Sequence, residues 1–125
     1  MKSSIILSSL PHTWLFDLDG SIVSHNQYKI GKDKLLPGVK SFFSSIPQDD
    51  MVILLTARKS KYASQTEKFL KKNKLKFDII IYDVPVGERI LVNDLKPRGL
   101  NTALSLNLQR DIGLSNYNIK IDEKI

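Results

Sequence analysis

The chain has 125 residues, no cysteine and a formal net charge of +6 at pH 7. This length suits one domain with a single core, and the lack of cysteine excludes disulfides and thiolate metal sites. The positive charge favours an anionic partner such as a phosphate ester, an acidic polysaccharide or a nucleic acid, without choosing among them.

The amino-terminal stretch predicts neither a signal peptide nor a membrane anchor. Residues 1–10 contain one lysine and a short apolar run broken by serines, which is too short for a signal sequence. No apolar stretch reaches the roughly 20 residues that span a bilayer. We therefore expect a soluble, cytoplasmic protein with no membrane partner, since the absence of cysteine also fits a reducing compartment.

The first predicted element is a buried strand over residues 13–16 that ends in two acids. Asp17 and Asp19 follow the apolar run, and Gly20 comes next. Carboxylates this close repel each other, and a shared proton or a bound cation such as Mg²⁺ relieves the repulsion. Gly20 lets the chain turn sharply beside a ligand. The simpler interpretation is an Asp/Gly turn without function.

Further strands and two helices follow along the chain. Residues 22–23 and 28–30 flank a polar turn, which predicts a short flap hairpin. Apolar residues at i, i+3, i+4 and i+7 after Pro37 predict a helix to Ile46, and a second helix is expected over about residues 60–72. Its lysines indicate a solvated face. The remaining strands are predicted over residues 51–55, 77–82, 90–92 and 103–108.

This alternation predicts an α/β fold of three layers, Rossmann-like, with a mainly parallel central sheet. Parallel strands end along one edge of their sheet, where such folds place their ligands. Only 16 residues lie between Gly20 and Pro37, too few for a cap domain. Four polar residues at or just after predicted strand ends are therefore expected to meet at an open site: Asp17, Asp19, Thr56 and Asp94.

Three short stretches in this order resemble the successive motifs of haloacid-dehalogenase-like (HAD) phosphatases, namely Asp17-Leu18-Asp19-Gly20, Thr56-Ala57-Arg58 and Asn93-Asp94. The resemblance covers residues 13–111, so we treat residues 1–125 as one HAD-like phosphatase domain of the capless branch. It implies Mg²⁺-dependent hydrolysis of a phosphate monoester through an aspartyl-phosphate intermediate.

The resemblance also implies a role for each matching residue. Asp17 would be the nucleophile and Asp19 the general acid and base. Thr56, with Gly20, Arg58 and Asn93, would contact the substrate, and Asp17, Asp19 and Asp94 would hold Mg²⁺. Arg89 is the preferred cationic contact to the phosphoryl group, ahead of Lys76 and Lys74.

Two features depart from the family pattern. Ser21 stands where threonine is common, and this keeps the hydroxyl group. Lys96 and Arg98 follow the last motif, where many members carry a further acid, so the metal would have fewer acidic ligands.

The substrate class stays open at this point. Small capless members linked to sugar-phosphate and capsular-polysaccharide synthesis favour a small-molecule or saccharide phosphate. A nucleic-acid end phosphatase is the nearest alternative, because an open site and positive charge suit a polynucleotide. An uncapped site is also open to water unless the flap or a second copy of the chain covers it.

The non-enzymatic alternatives are a phosphoacceptor module of receiver type and a HAD-like binding module. Residues 77–83 resemble the acceptor strand of a receiver, but Thr56 precedes Asp83, whereas a receiver needs its threonine after the acceptor.

Overall fold

The computed structural model describes residues 2–125. The strands are β1 (Ser3–Leu7), β2 (Thr13–Asp17), β3 (Met51–Leu55), β4 (Ile79–Ile81) and β5 (Tyr117–Ile121), and the helices are α1 (Val39–Ser45) and α2 (Ala63–Lys72). Short 3-10 turns occupy Gln27–Ile30 and Ser60–Tyr62. Neither α1 nor α2 has the length and apolar composition of a membrane-spanning helix.

The strands form two parallel sheets, which confirms the predicted α/β class. In the larger sheet, β3 lies between β2 and β4. Asp17 aligns with Leu55, and Leu55 with Ile81, so the carboxyl ends of all three strands lie at one edge. The second sheet pairs β1 with β5, at opposite ends of the sequence. The three predicted strands that the structure contains all lie in the larger sheet, and neither strand of the second sheet was predicted.

The core contains buried residues of both sheets and of the apolar faces of the helices. α1 buries Val39, Phe42 and Phe43, as its predicted stripe requires. Trp14 stacks on Phe16, with 5.7 Å between ring centroids, and meets Phe42 edge-on at 5.6 Å. Such offset and edge-to-face contacts stabilise aromatic clusters beyond the area they bury. Trp14 is therefore part of the core and not an exposed platform for a base.

The predicted strands over residues 90–92 and 103–108 are wrong. The structure has no strand in either segment, and Ile90 and Val92 are 85% and 86% exposed. A strand needs a second backbone to complete its hydrogen bonds. Apolar composition predicted these strands, but within residues 2–125 no neighbouring strand pairs with them.

The flap is present, but its pairing differs from the prediction. Val23 bridges antiparallel to Leu35, and not to residues 28–30. The amide of Ser24 donates to the Lys34 carbonyl at 3.0 Å, and the Leu36 amide donates to the Ile22 carbonyl at 2.9 Å. The flap is therefore a loop closed at its base, whose 3-10 turn over Gln27–Ile30 buries Tyr28.

A buried carboxylate ties β2 to β3 at their amino ends, away from the candidate site. Asp50 is 3% exposed and accepts hydrogen bonds from Trp14 Nε1 at 2.9 Å and from the His12 amide at 3.0 Å. His12 Nδ1 lies 2.8 Å from Asp50 Oδ2, the oxygen that also accepts from Trp14, and His12 Nε2 lies 2.9 Å from the Ser8 carbonyl. Both ring nitrogens therefore have hydrogen-bond partners, and the imidazole bridges Asp50 and the Ser8 carbonyl.

We expect this cluster to make stability depend on acid pH. Burial raises the pKa of Asp50, but hydrogen bonds from Trp14 and His12 outweigh burial, so its pKa lies below the usual value. A lowered folded-state pKa stabilises the fold above the unfolded pKa, about 3.9 for aspartate, and this stabilisation is lost as pH falls through the folded pKa. In urea titrations from pH 7 to pH 2.5, Asp50→Asn should lower the free energy of unfolding by about 2 kcal/mol at pH 7. Its acid decline should be shallower than that of the wild type, and parallel declines would contradict this assignment.

Candidate active site

The candidate site lies where β2 and β3 end at the shared edge of the larger sheet. Asp17 is the last residue of β2, and Thr56 follows the last residue of β3. The Thr56 amide donates to the Ile81 carbonyl at 3.0 Å, and the Val84 amide donates to the Thr56 carbonyl at 3.0 Å, which fixes the loops after both strands. Because the strands are parallel and in register, side chains far apart in sequence meet here.

Asp17 is oriented by two neighbours and stays open to solvent. Ser21 Oγ donates to Asp17 Oδ2 at 3.2 Å, and Arg89 Nη1 donates to Asp17 Oδ1 at 2.9 Å. The side chains of Asp17 and Arg89 are 42% and 32% exposed, so this ion pair is worth at most about 1 kcal/mol. Arg89, 72 residues further along the chain, is thus placed beside the predicted nucleophile.

Lys76, the alternative cationic contact, lies elsewhere. Its Nζ donates to the backbone carbonyls of Gln48 and Asp50, which precede β3. Lys76 Nζ therefore lies at the amino end of β3, whereas Thr56 follows its carboxyl end. The two ends of this five-residue strand are roughly 17 Å apart. The structure thus leaves Arg89 as the cation that pairs with Asp17.

A buried guanidinium holds both oxygens of Asp19. Arg58, 1% exposed, donates from Nε to Asp19 Oδ2 and from Nη2 to Asp19 Oδ1, each at 3.0 Å. It also donates to Asp33 Oδ2 at 3.0 Å, to Asp33 Oδ1 at 2.8 Å and to Thr66 Oγ1 at 2.9 Å. These contacts use all five N–H groups of the guanidinium. The ring of Tyr28 lies 4.2 Å from Arg58 Cζ and completes the enclosure.

The charges in this network decide the ionisation of Arg58. Burial lowers the pKa of the guanidinium, but hydrogen bonds and opposite charges from Asp19 and Asp33 outweigh burial, so its pKa is raised. Arg58 therefore stays cationic, and in this conformation no N–H remains for a substrate. The contact of Arg58 with substrate remains a prediction. It requires Arg58 to exchange one of its hydrogen bonds to Asp19, Asp33 or Thr66 for one to the substrate.

Thr56 and Gly20 shape the loops of the site. Thr56 is 1% exposed, and its Oγ1 accepts a hydrogen bond from the Arg58 amide at 3.0 Å. Gly20 has φ +86, a left-handed conformation that side chains rarely adopt, and its amide donates to the Val23 carbonyl at 2.7 Å. The Asp111 amide donates to the Gly20 carbonyl at 2.9 Å, so the carboxyl-terminal segment also reaches this loop.

None of the described hydrogen bonds and ion pairs of Asn93 and Asp94 joins them to Asp17, Asp19 or Thr56. Asn93 Nδ2 donates to the Thr102 carbonyl at 3.0 Å, and Thr102 Oγ1 donates to the Asp94 carbonyl at 2.6 Å. Both residues are exposed within the segment that the predicted strand of residues 90–92 would have carried to the site.

The acidic side chains of the described chain by themselves do not assemble a site for a divalent cation. Residues 2–125 contain no group of three or more histidine or acidic side chains close enough to share a metal ion. Asp17 and Asp19 instead face guanidinium groups, which supply the positive charge that two adjacent carboxylates require. Mg²⁺ binding by Asp17, Asp19 and Asp94 remains a prediction.

Two residues of the site were not assigned a role from the sequence. Asp33 lies in the flap, within a lysine-rich stretch that gave no signal of its buried ion pair with Arg58. The side chain of Arg110 packs over Gly20, and the ion pairs of the described chain do not include Arg110. A pairing between residues 25 or more positions apart leaves no local pattern to detect.

No protein-family model matches the chain, and no curated protein matches it. Two solved structures do. A chain of the Pnkp1/Rnl/Hen1 complex is 28% identical, with a TM-score of 0.51, over 66% of this chain and 31% of that one. A chain of the Pnkp1/Rnl/Hen1 RNA repair complex is also 28% identical, with a TM-score of 0.50, over 65% of this chain and 28% of that one. The chain thus spans less than a third of the length of either, and the similarity supports its α/β fold.

Proposed function

We propose that this chain is a HAD-type phosphatase that hydrolyses phosphate monoesters through an aspartyl-phosphate intermediate. The observation that carries the proposal is the setting of Asp17, an exposed carboxylate at the end of β2 held by Ser21 and Arg89. A carboxylate at a sheet edge with a guanidinium 2.9 Å away can meet a phosphoryl group whose negative charge would otherwise repel it.

The first step forms a bond between an Asp17 oxygen and phosphorus while the bond from phosphorus to the ester oxygen breaks. Arg89 offsets the negative charge that gathers on the phosphoryl oxygens. Ser21 holds Asp17 Oδ2 by its hydrogen bond, which leaves Oδ1 to attack phosphorus. Asp19 in its protonated form gives a proton to the departing ester oxygen. To do so, one Asp19 oxygen must release its hydrogen bond with Arg58.

The second step returns the enzyme to its starting state. A water molecule attacks phosphorus, Asp19 takes one of its protons, and the bond between Asp17 and phosphorus breaks to release inorganic phosphate. Asp33 keeps its two hydrogen bonds to Arg58 during this exchange, so the guanidinium stays in place while Asp19 moves. The resident carboxylates and guanidinium groups thus supply the nucleophile, the proton carrier and the positive charge.

For the substrate, we propose the terminal phosphate of a polynucleotide. One of the two similar structures is titled as an RNA repair complex, and both are chains of a Pnkp1/Rnl/Hen1 assembly. The net charge of +6 and the lack of a cap domain also suit a long anionic substrate. These findings move the preference away from the saccharide phosphate that the sequence alone favoured. Coverage of the site by a second copy of the chain remains a prediction.

The test of this function is hydrolysis of an aryl phosphate with added Mg²⁺, followed by addition of EDTA. We expect slow release of phosphate with Mg²⁺ and its loss in EDTA, as the family resemblance implies. Activity that survives EDTA would contradict the Mg²⁺ prediction and leave Arg89 as the source of positive charge.

A panel of phosphate esters would then decide the substrate class. We expect oligonucleotides with a 3′- or 5′-terminal phosphate to be hydrolysed faster than sugar phosphates. Faster turnover of a sugar phosphate would favour the saccharide alternative. Release of phosphate from no ester in the panel would favour a non-enzymatic binding module.

A further inference from the structure

Arg110 lies directly across the loop that carries the paired acids. A methyl group added at Gly20 would lie 3.3 Å from Arg110 Cγ and 3.9 Å from Arg110 Nε. The same added group would lie 3.9 Å from His25 Nδ1, so an arginine and a histidine flank one point of the loop. Gly20 follows Asp19 directly, which places this pair at the rim of the candidate site.

Backbone contacts fix the position of Arg110. The amide of the next residue, Asp111, donates to the Gly20 carbonyl at 2.9 Å. Asp111 Oδ1 accepts a hydrogen bond from the His25 amide at 2.9 Å, which ties the flap to the same segment. The backbone next to Arg110 is therefore tied through Asp111 to the Gly20 loop and to the flap, although Arg110 itself is exposed.

The guanidinium of Arg110 differs from the other two at the site. Arg58 is saturated by Asp19, Asp33 and Thr66, and Arg89 is paired with Asp17. Within residues 2–125, Arg110 takes part in none of the ion pairs and side-chain hydrogen bonds. An anchored side chain with an unpaired cationic head at the rim of a site suits a second anionic group on the substrate.

We propose that Arg110 is a specificity-determining residue that contacts the phosphodiester next to the terminal phosphate of a polynucleotide substrate. This inference rests on the proposed function, because it assumes that the terminal phosphate sits at Asp17. An aryl phosphate has no second phosphate and gains nothing from Arg110, whereas an oligonucleotide gains one charge-assisted contact. His25, across Gly20, borders the same path.

The test measures binding separately from turnover. Asp17→Asn removes the nucleophile, so an oligonucleotide with a terminal phosphate and a fluorescent label can be titrated by anisotropy without being hydrolysed. In this background, Arg110→Gln should weaken binding about tenfold, as expected for loss of one good charged contact. The slope of log affinity against log salt concentration should become shallower by about 0.7, the value for one phosphate contact on a single strand.

Two further variants distinguish charge from structure. Arg110→Lys keeps the charge and should recover most of the salt slope. If Arg110→Gln weakened binding only through a structural defect, the lysine variant would not recover the slope. Arg98→Gln is the matched control, since Arg98 is exposed in the same segment but borders a groove with Ile6 and Lys124. It should change the affinity less than twofold.

Turnover assays separate failure of this inference from failure of the proposed function. In the active protein, Arg110→Gln should lower kcat/KM much more for the oligonucleotide than for an aryl phosphate. Equal losses on both substrates, or an unchanged salt slope in the binding assay, would overturn the role of Arg110. If the wild type binds the oligonucleotide with the expected dependence on Arg110 but hydrolyses no phosphate ester, the proposed phosphatase function fails and the Arg110 contact stands.

Discussion

Asp17→Asn should lower phosphatase activity by at least several powers of ten. The amide keeps the shape of the side chain but cannot attack phosphorus, because its nitrogen carries no available lone pair and its oxygen no full charge. The measurement is kcat/KM for an aryl phosphate at saturating Mg²⁺. Folding should be preserved, since the contact that loses its charge, between Asp17 and Arg89, is partly exposed and stabilises the fold little.

The matched control is Asp49→Asn, an exposed aspartate just before β3 and therefore at the opposite end of the sheet. It removes the same charge and should leave activity within about twofold. If Asp17→Asn retained most of the wild-type activity, another group would have to be the nucleophile and the proposed mechanism would be wrong.

Arg58→Gln should be the most destabilising of the substitutions considered. It removes the buried cation that neutralises Asp19 and Asp33, whose side chains are 15% and 4% exposed. Breaking a buried ion pair by removing one partner costs about 3–5 kcal/mol, because the remaining charges stay buried and unpaired. Urea denaturation followed by circular dichroism measures the loss. Arg98→Gln, a surface control, should fall within about 0.5 kcal/mol of the wild type.

A loss of this size approaches the whole stability of a small domain, so a rescue variant keeps the prediction testable. Arg58→Gln combined with Asp33→Asn removes one of the two uncompensated charges. It should be more stable than Arg58→Gln alone, and the coupling between the two positions should exceed about 0.5 kcal/mol. Additive effects, or an Arg58→Gln protein as stable as the wild type, would contradict the proposed network.

The ion-pair network also links the flap to the acid pair. Asp33 and Tyr28 both belong to the flap, and both contact Arg58. Gln65 Nε2 from α2 donates to the Tyr28 carbonyl at 2.8 Å, so the flap is also held from the helix side. The flap is therefore a fixed wall of the site. It could open as a lid only if these contacts broke first.

Local sequence patterns determined much of the fold around the site. An apolar run followed by Asp17 predicted β2 to within one residue, and the run over residues 51–55 predicted β3. The i, i+3, i+4, i+7 stripe predicted α1, since a helix that buries one face must repeat its apolar residues with a period near 3.6. These elements are specified by residues close together in the chain, so one sequence is enough to find them.

Pairings across the chain were decided only by the tertiary structure. The match of β1 with β5, the bond between Arg89 and Asp17, and the shared hold of Arg58 on Asp19 and Asp33 each join residues far apart in sequence. In residues 84–110 the local pattern was misleading. The apolar runs there resemble strands, but no strand within residues 2–125 pairs with them. The sequence by itself determined which residues favour strands, helices and an acidic turn. Only the folded chain decided which charges and which strands meet. An ion pair or a strand ladder depends on distance in space, and local periodicity in the sequence does not specify that distance.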